Sequence, residues 1–202
     1  MKRGTAVGLL GGSFNPAHAA HRRMSLAAMQ RLGLDEIWWL VSPQNPLKPV
    51  AGMAPFDARF SRAQAVARHP RIRVSDIECQ LETQLTADTV AALKARFPHV
   101  RFVWIMGADN LLQFHRWAAW REIARMVPIV VLARPPYNSA SRRAPAMGWL
   151  RRFRRRSARN WRTWRLPALI FLDLGLDPTS ATALRAADPD WAEDHSPRRR
   201  AA

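Results

Sequence analysis

Two glycines and two histidines near the start of the chain have the spacing of an anion-binding site, in the stretch GGSFNPAHAAHRRM at residues 11–24. Gly11 and Gly12 lack a Cβ atom, so the backbone there can approach a ligand closely. His18 and His21 are three residues apart, which places both imidazoles on one face of a helix. The first turn of a helix offers free N–H groups and the positive end of the helix dipole. Because both features favour an anion, the stretch predicts a phosphate-binding site.

The same stretch has two plainer interpretations. It could be an ordinary turn from strand to helix with two surface histidines, or the histidines could bind a metal ion. A metal site needs further ligands, and no third ligand with an obvious spacing follows in the sequence. The combination of a strand, two glycines, Pro16 and paired histidines therefore favours phosphate.

A second group of polar side chains lies near the other end of the chain, in TSATALR at residues 179–185. The hydroxyls of Ser180 and Thr182 and the guanidinium of Arg185, at the start of a helix, could bind a second anion. Taken alone, the stretch is also an ordinary helix start with Ser180 as its N-cap. If the fold brings the two stretches together, they would hold a polyphosphate chain from two sides.

The elements that must position these residues alternate along the chain. Short apolar runs predict strands over residues 5–10, 36–42, 71–77, 100–107, 128–134 and 167–174. Apolar residues at helical spacing predict helices over residues 18–32, 56–69, 87–97, 110–126 and 180–187. Gly33 is the expected C-cap of the first helix, and Thr86 is the expected N-cap of the third.

This alternation predicts an α/β fold, a Rossmann-like doubly wound parallel sheet with helices on both faces. In such sheets ligands bind at the carboxyl ends of the strands, near the point where the strand order reverses. We expect one domain over residues 1–187, followed by a disordered tail at residues 188–202.

Within this domain, residues 135–166 form an insert that is rich in arginine and tryptophan. Arginines could bind phosphates and tryptophans could stack on bases, as in a nucleic-acid arm. The same pattern describes an amphipathic lid or surface extension, with its rings on the domain and its guanidinium groups in water. We favour the lid or surface extension.

Composition narrows the class of protein. The chain has 202 residues, of which 48% are hydrophobic, enough for one domain with a full core. Its formal net charge of +17 favours anionic partners such as nucleotides, nucleic acid or an acidic membrane surface. All but three of the basic residues are arginines, so the charge could equally reflect genomic base composition.

Cysteine content and hydropathy bear on the cellular compartment. Cys79 is the only cysteine, which excludes an internal disulfide and a zinc cluster of cysteines and fits a reducing compartment. The apolar run at the start of the chain is short and broken by glycine, unlike a signal peptide. No stretch approaches the ~18 apolar residues of a membrane span. We expect a cytoplasmic protein without a membrane partner.

The opening stretch resembles the GxFxPxHxGH signature of the nucleotidyltransferase superfamily, whose members transfer a nucleotidyl group from ATP or CTP. The matching residues are Gly12, Phe14, Pro16, His18 and His21, and Ala20 stands where the family usually has glycine. TSATALR resembles the family's ISSTxIR motif. Its matches are Ser180, Thr182 and Arg185, and Ala181 replaces the second serine.

Three further blocks are similar to those of bacterial nicotinate-nucleotide adenylyltransferases. IMGADNLLQFHRWAAW, residues 105–120, resembles the family's GADxLxxLxxW block. Residues 75–98 resemble its SDxE…SYTxDTLxxL block, with matches at Thr86, Asp88 and Thr89. SPQNPLKP, residues 42–49, resembles its P…P.K loop, with Lys48 matching. The resemblance spans residues 5–134 and 167–186 in five ordered blocks.

This resemblance implies an adenylyltransferase that joins nicotinate mononucleotide to ATP, giving deamido-NAD and pyrophosphate, with Mg²⁺ as cofactor. It implies catalytic roles for His18, His21 and Arg185. It implies ATP binding by Gly11, Gly12, Ser13, Phe14, Ser180 and Thr182. Nicotinate mononucleotide would be bound by Lys48, Thr86, Asp109 and Trp117.

Each residue assigned to the mononucleotide also has a structural alternative. Trp117 would stack on the pyridine ring or pack a helix onto the sheet. Thr86 and its neighbouring N–H groups would meet the nicotinate carboxylate at a helix start or form an ordinary cap. Asp109 would bind a ribose hydroxyl, lie near magnesium or cap a helix. Lys48 would reach the mononucleotide phosphate or be a solvated loop lysine.

Two other functions stay open at this stage. The acceptor could be nicotinamide mononucleotide or phosphopantetheine, or the chain could be a basic nucleic-acid-binding module. A binding module has no need of paired phosphate motifs, so we expect no nucleic-acid partner. The sequence leaves a homo-oligomer open.

Overall fold

Six parallel strands form one sheet at the centre of the molecule. The computed structural model describes residues 4–44, 51–133, 137–173 and 181–192. The strands are Ala6–Gly12 (β1), Glu36–Val41 (β2), Ile72–Ser75 (β3), Arg101–Gly107 (β4), Ile129–Ala133 (β5) and Leu169–Asp173 (β6). Their order across the sheet is β3-β2-β1-β4-β5-β6. The predicted parallel sheet is thereby confirmed.

The strand order reverses beside β1. This strand pairs with β2 on one side, where Gly12 lies opposite Val41, and with β4 on the other, where Leu10 lies opposite Ile105. The chain leaves β1 and β4 in opposite directions across the sheet, which opens a crevice at their carboxyl ends. The glycines of the opening stretch therefore end at the crevice where a doubly wound sheet binds its ligand.

Helices cover both faces of the sheet. They are Ala19–Leu32 (α1), Phe56–Ala67 (α2), Ile77–Gln80 (α3), Thr86–Arg96 (α4), Ala108–Gln113 (α5), Trp120–Met126 (α6), Tyr137–Arg142 (α7), Met147–Leu150 (α8) and Ala181–Ala187 (α9). One buried cluster contains apolar residues of α4, α5, α6 and α8. The other contains those of α1 and α2. Successive residues of β1 point to opposite clusters, Val7 and Leu9 to the first and Ala6 and Leu10 to the second, as the pleat of a strand requires. The part of the chain that the structure describes has no helix long and apolar enough to cross a membrane.

The predicted cap residue is correct at the end of α1 and wrong at the start of α4. Gly33 is the C-cap of α1 in the left-handed conformation, as predicted. The prediction of Thr86 as an N-cap is wrong: Leu85 is the cap residue, and Thr86 is the first residue of the helix. The amide of Thr89 bonds to the carbonyl of Leu85, which starts the helix one residue early.

The predicted helix over residues 110–126 is interrupted. A 3-10 turn at Phe114–Arg116 follows α5, and the chain then bends before α6. Ala119 has a φ of 50°, a left-handed conformation that breaks the helical path. The interruption places Trp117 outside both helices.

The insert packs against the domain through its rings. The ring N–H of Trp161, which is 5% exposed, donates to the carbonyl of Leu32 at 2.7 Å. Arg162 donates to the carbonyl of Gly33 at 2.7 Å. Guanidinium groups lie over the rings of Phe153, Trp161 and Trp164. The interpretation of the insert as a lid or surface extension stays a prediction.

The residues after α9 are described as far as position 192. Trp191 is 7% exposed, so this part of the expected tail packs against the molecule. Residues 193–202 lie outside the described part of the chain.

Candidate functional site

A cavity of about 850 Å³ lies at the carboxyl ends of β1 and β4. It is lined by every predicted site residue that the structure describes. These are Gly11, Gly12, Ser13, Phe14, His18, His21, Thr86, Asp109, Trp117, Thr182 and Arg185. The two remaining predicted site residues, Lys48 and Ser180, lie outside the described residues. None of the described residues of the insert lines the cavity.

The two histidines form a pair at the start of α1. His18 is the N-cap residue with extended backbone and is 6% exposed, and its ring centroid lies 3.9 Å from that of His21. The backbone N–H of His18 donates to Nδ1 of His21 at 3.2 Å. Since Nδ1 accepts this bond, we assign the ring proton of His21 to Nε2. His21 is thus set to donate a hydrogen bond through Nε2.

Two packed aromatic rings, those of Phe14 and Trp39, fix the position of His21. The ring of Phe14 stacks on Trp39, with centroids 5.1 Å apart, and contacts His21 at 5.0 Å. The hydroxyl of Ser25 donates to the carbonyl of His21 and accepts from the ring N–H of Trp39, both at 2.8 Å. The buried residues Phe14, Ser25 and Trp39 thus hold the ring and the backbone of His21 at the start of α1.

Arg185 of α9 reaches across the crevice to the opening stretch. Its guanidinium donates to the carbonyl of Asn15, and its other nitrogen lies 3.4 Å from the hydroxyl of Thr182. The side chain of Asn15 is fixed in turn, because its amide donates to the carbonyl of Gly52 at 2.8 Å and its oxygen accepts from the N–H of Ala54 at 3.2 Å. The two ends of the chain that the sequence singled out therefore meet in one cavity.

Gly11 makes room for the large ring of Trp104 in the wall of the cavity. A Cβ atom at this position would lie 2.5 Å from Cη2 of Trp104, which is 1% exposed and cannot move aside. Trp104 in turn meets the ring of Trp117 edge-on, with centroids 6.0 Å apart. The missing Cβ of Gly11 thus leaves space for Trp104 to pack edge-on against Trp117.

We expect Gly11→Ala to lower the free energy of unfolding by about 1–3 kcal/mol, because the added methyl overpacks a rigid buried ring. Gly12→Ala is the matched control, since its Cβ would be 3.6 Å from the Phe14 ring, an ordinary contact. Urea unfolding of both variants measures the difference. Equal unfolding free energies for the two variants would contradict this account of Gly11.

Trp117 both packs and lines the cavity. Its ring meets Phe114 at 5.3 Å and Trp104 at 6.0 Å, each edge-on. It is only partly buried against the core. The two alternatives that the sequence left open are therefore compatible, because one side of the ring is packed while the residue still faces the cavity.

Asp109 stands at the start of α5, on the same wall. A Cβ atom on Gly107 would lie 2.4 Å from Oδ1 of Asp109, so the carboxylate folds back over the end of β4. This position needs a glycine at residue 107 and brings a negative charge to the cavity.

Glu78 is a buried carboxyl beside the start of α4. The residue lines the cavity and is 6% exposed. Burial raises the pKa of Glu78 to about 7, while hydrogen bonds from Thr89 and Ser42 oppose the shift. The Thr89 hydroxyl also lies 2.8 Å from that of Thr83. These polar groups fix the loop that leads into Thr86.

We expect Glu78 to make the protein less stable as pH rises. Because its pKa is about 7 in the folded chain and near 4.3 when unfolded, the folded state holds the proton more tightly between these values. The free energy of unfolding therefore falls as pH rises through this window, by up to about 4 kcal/mol, and the loss is complete above it.

Glu78→Gln keeps the shape of the side chain and removes its titration. Urea unfolding at several pH values should give a flatter dependence for Glu78→Gln than for the unaltered chain. Glu82→Gln, at an exposed position, is the control and should keep the original slope. An unchanged slope in Glu78→Gln would contradict the assignment.

Sequence reasoning missed several cavity residues. They include Asn15, Glu78, Trp104 and Arg116. Asn15 and Glu78 lie inside stretches already singled out, so their motifs contained the signal. Trp104 lies in an apolar run with no sign that it contacts Gly11, because that contact depends on the pairing of β1 with β4.

The chain is similar in sequence to a described family and to proteins of bacteria. The family model described as cytidylyltransferase-like matches residues 9–187. A protein of Erythrobacter litoralis named "Probable nicotinate-nucleotide adenylyltransferase" is 56% identical over 187 residues, which are 92% of this chain and 85% of that protein. A protein of the same name from Parvibaculum lavamentivorans is 52% identical over 184 residues, 90% of this chain and 92% of that one.

Solved structures show the same fold. Two structures of Plasmodium falciparum nicotinic acid mononucleotide adenylyltransferase, complexed with APC and with NaAD, each align with a TM-score of 0.63 at 16% identity. Each alignment covers 90% of this chain and 83% of the other.

Proposed function

We propose that this chain, which belongs to the nicotinate-nucleotide adenylyltransferases of the cytidylyltransferase-like family, joins nicotinate mononucleotide to ATP. An oxygen of the mononucleotide phosphate forms a bond to the α-phosphorus of ATP. The bond from that phosphorus to the β-bridging oxygen breaks, and pyrophosphate leaves with the electron pair. The products are deamido-NAD and pyrophosphate. The observation that supports this reaction most directly is the meeting of His18, His21 and Arg185 in one cavity.

The chain's part in this reaction is alignment and charge stabilisation. The nucleophile is already anionic and the leaving group is good, so no covalent intermediate with the protein is needed. His18 and His21 would donate hydrogen bonds to the ATP phosphates, His21 through Nε2. Arg185 would approach the same phosphates from α9, with Thr182 beside it. Gly11, Gly12, Ser13 and Phe14 would form the floor of the ATP site, and Ser180 would add a hydroxyl.

The acceptor would occupy the other side of the cavity. The first turn of α4, beginning at Thr86, has N–H groups without a side-chain cap. Such a helix start favours the nicotinate carboxylate over an uncharged amide. Trp117 would stack on the pyridine ring, and Asp109 would bind a ribose hydroxyl or lie near the metal ion. Lys48 would bind the mononucleotide phosphate.

Nucleotidyltransferases that act on ATP generally use a divalent metal ion, and we propose Mg²⁺ here. Mg²⁺ prefers oxygen ligands and usually binds one or two carboxylates together with substrate phosphates. The described residues contain no group of three metal-ligating side chains, but Asp109 brings a carboxylate to the cavity. The residues present therefore fit an ion held mainly by ATP. When bound, the ion would neutralise charge on the phosphates.

The test is pyrophosphate release from ATP with each candidate acceptor. We expect rapid release with nicotinate mononucleotide and slower release with nicotinamide mononucleotide, because only the acid brings a carboxylate to α4. Phosphopantetheine should give none. Pyrophosphate release with phosphopantetheine and with neither mononucleotide would show that the acceptor is phosphopantetheine. Salt-dependent binding of single-stranded or duplex nucleic acid, without release from any acceptor, would favour a binding module.

A further inference from the structure

Arg59 is a buried arginine whose guanidinium lies over the ring of Phe56 and donates to four backbone carbonyls. It lies in α2 and is 1% exposed. Its Nε donates to Ala54 at 2.9 Å, one terminal nitrogen donates to Ser13 at 2.8 Å and Ser42 at 2.7 Å, and the other donates to Pro43 at 2.8 Å. Burial lowers the pKa of Arg59, but a guanidinium keeps its proton in proteins. One charge is thus shared by four carbonyls.

These carbonyls come from three separate pieces of chain around the cavity. Ser13 follows β1 in the proposed floor of the ATP site. Ser42 and Pro43 follow β2, and Ala54 precedes α2. Arg59 itself does not line the cavity, whereas Ser13 and Ser42 do. The guanidinium, which lies outside the cavity, therefore links Ser13 in the floor of the proposed ATP site to the segment that follows β2.

The bond to Ser13 also sets the direction of one amide. In a planar trans peptide the C=O and the following N–H point in opposite directions. Because the Ser13 carbonyl points to Arg59, the N–H of Phe14 points away from that guanidinium. Phe14 has a φ of 46°, a left-handed conformation that a non-glycine residue keeps only when its surroundings enforce it.

We infer that Arg59 is a positioning residue for the ATP phosphates. By holding the Ser13 carbonyl away from the cavity, it presents the Phe14 amide to the anion and keeps a repelling oxygen out of the site. Lysine has one point charge on a single nitrogen and cannot reproduce the fork that reaches three pieces of chain. This inference rests on the proposed ATP site and adds a residue that no motif of the sequence marked.

The experiment measures binding of ATP and of pyrophosphate by calorimetry, together with KM and kcat, for the unaltered chain and Arg59→Lys. We expect Arg59→Lys to weaken both ligands about tenfold, the equivalent of one charge-assisted hydrogen bond lost. The rise in the KM for ATP should exceed the fall in kcat. Arg31→Lys, an exposed arginine of α1 with the same change, should leave all four quantities unaltered.

A role in folding alone would give a different result. Assays are run where circular dichroism shows each variant to be folded, and Arg59→Met, which removes the charge, is tested in parallel. If Arg59→Lys is folded and binds both ligands as tightly as the unaltered chain, the inference is wrong. It is equally wrong if activity falls only in proportion to the folded fraction while the KM for ATP stays constant. If the unaltered chain binds neither ATP nor pyrophosphate, the proposed function itself fails.

Discussion

His18→Ala is expected to lower kcat by about 10²–10³-fold, the usual cost of removing one preorganised donor from a developing anion. His18 is almost wholly buried at the start of α1 and lies against His21. Its imidazole would meet the ATP phosphates as pyrophosphate leaves, when negative charge on them grows. The measurement is steady-state pyrophosphate release with ATP and nicotinate mononucleotide, alongside thermal unfolding.

The loss should appear without loss of the fold. Removing an N-cap side chain costs about 1 kcal/mol, which a domain of this size tolerates. His99→Ala is the matched control, because His99 is exposed just before β4, at the end of the sheet away from the cavity. Full turnover by His18→Ala would remove His18 from the proposed mechanism.

Arg185→Gln should lower kcat/KM by about 10²-fold, because a charge-assisted contact to the phosphates is lost from the second side of the cavity. The bond from Arg185 to the Asn15 carbonyl already holds the guanidinium in the crevice, so little ordering is needed when ATP binds. The inhibition constant of pyrophosphate should rise in parallel with the KM for ATP.

A control for this variant is Arg101→Gln, which removes an exposed charge at the start of β4. It separates the local effect of Arg185 from a general fall in positive potential. Should Arg185→Gln and Arg101→Gln lose activity equally, the contribution of Arg185 is long-range attraction and the convergence of α1 and α9 on one ligand is not supported.

The sequence predicted the sheet well because its strands are short apolar runs separated by helical patterns. Gly11 and Gly12 were expected to end β1, yet the strand continues through them, with Gly12 paired to Val41. Glycine keeps its backbone hydrogen bonds in a ladder, and here the space it leaves is filled by Trp104. That filling depends on the neighbouring strand, which local sequence does not reveal.

The start of α4 also depends on contacts that the local sequence does not reveal. Thr86 has a residue type typical of an N-cap, and a local pattern favours it. The observed start follows from the bond of the Thr89 amide to the Leu85 carbonyl, and the contacts of the Thr89 hydroxyl with Thr83 and Glu78 fix the preceding loop. Arg59 was missed for a related reason, since its bond to Ser13 spans 46 residues of sequence.

The hydrogen bonds from the insert to the end of α1 have a consequence for folding during synthesis. Trp161 bonds to the carbonyl of Leu32, the last residue of α1, and Arg162 bonds to that of the C-cap Gly33, each across 129 residues of sequence. During synthesis, the residues that bond to the far end of this helix are added to the chain 129 residues after the carbonyls that they contact. Contacts between such distant residues slow folding. The helix that carries His21 therefore cannot complete its contacts until the insert has also been translated.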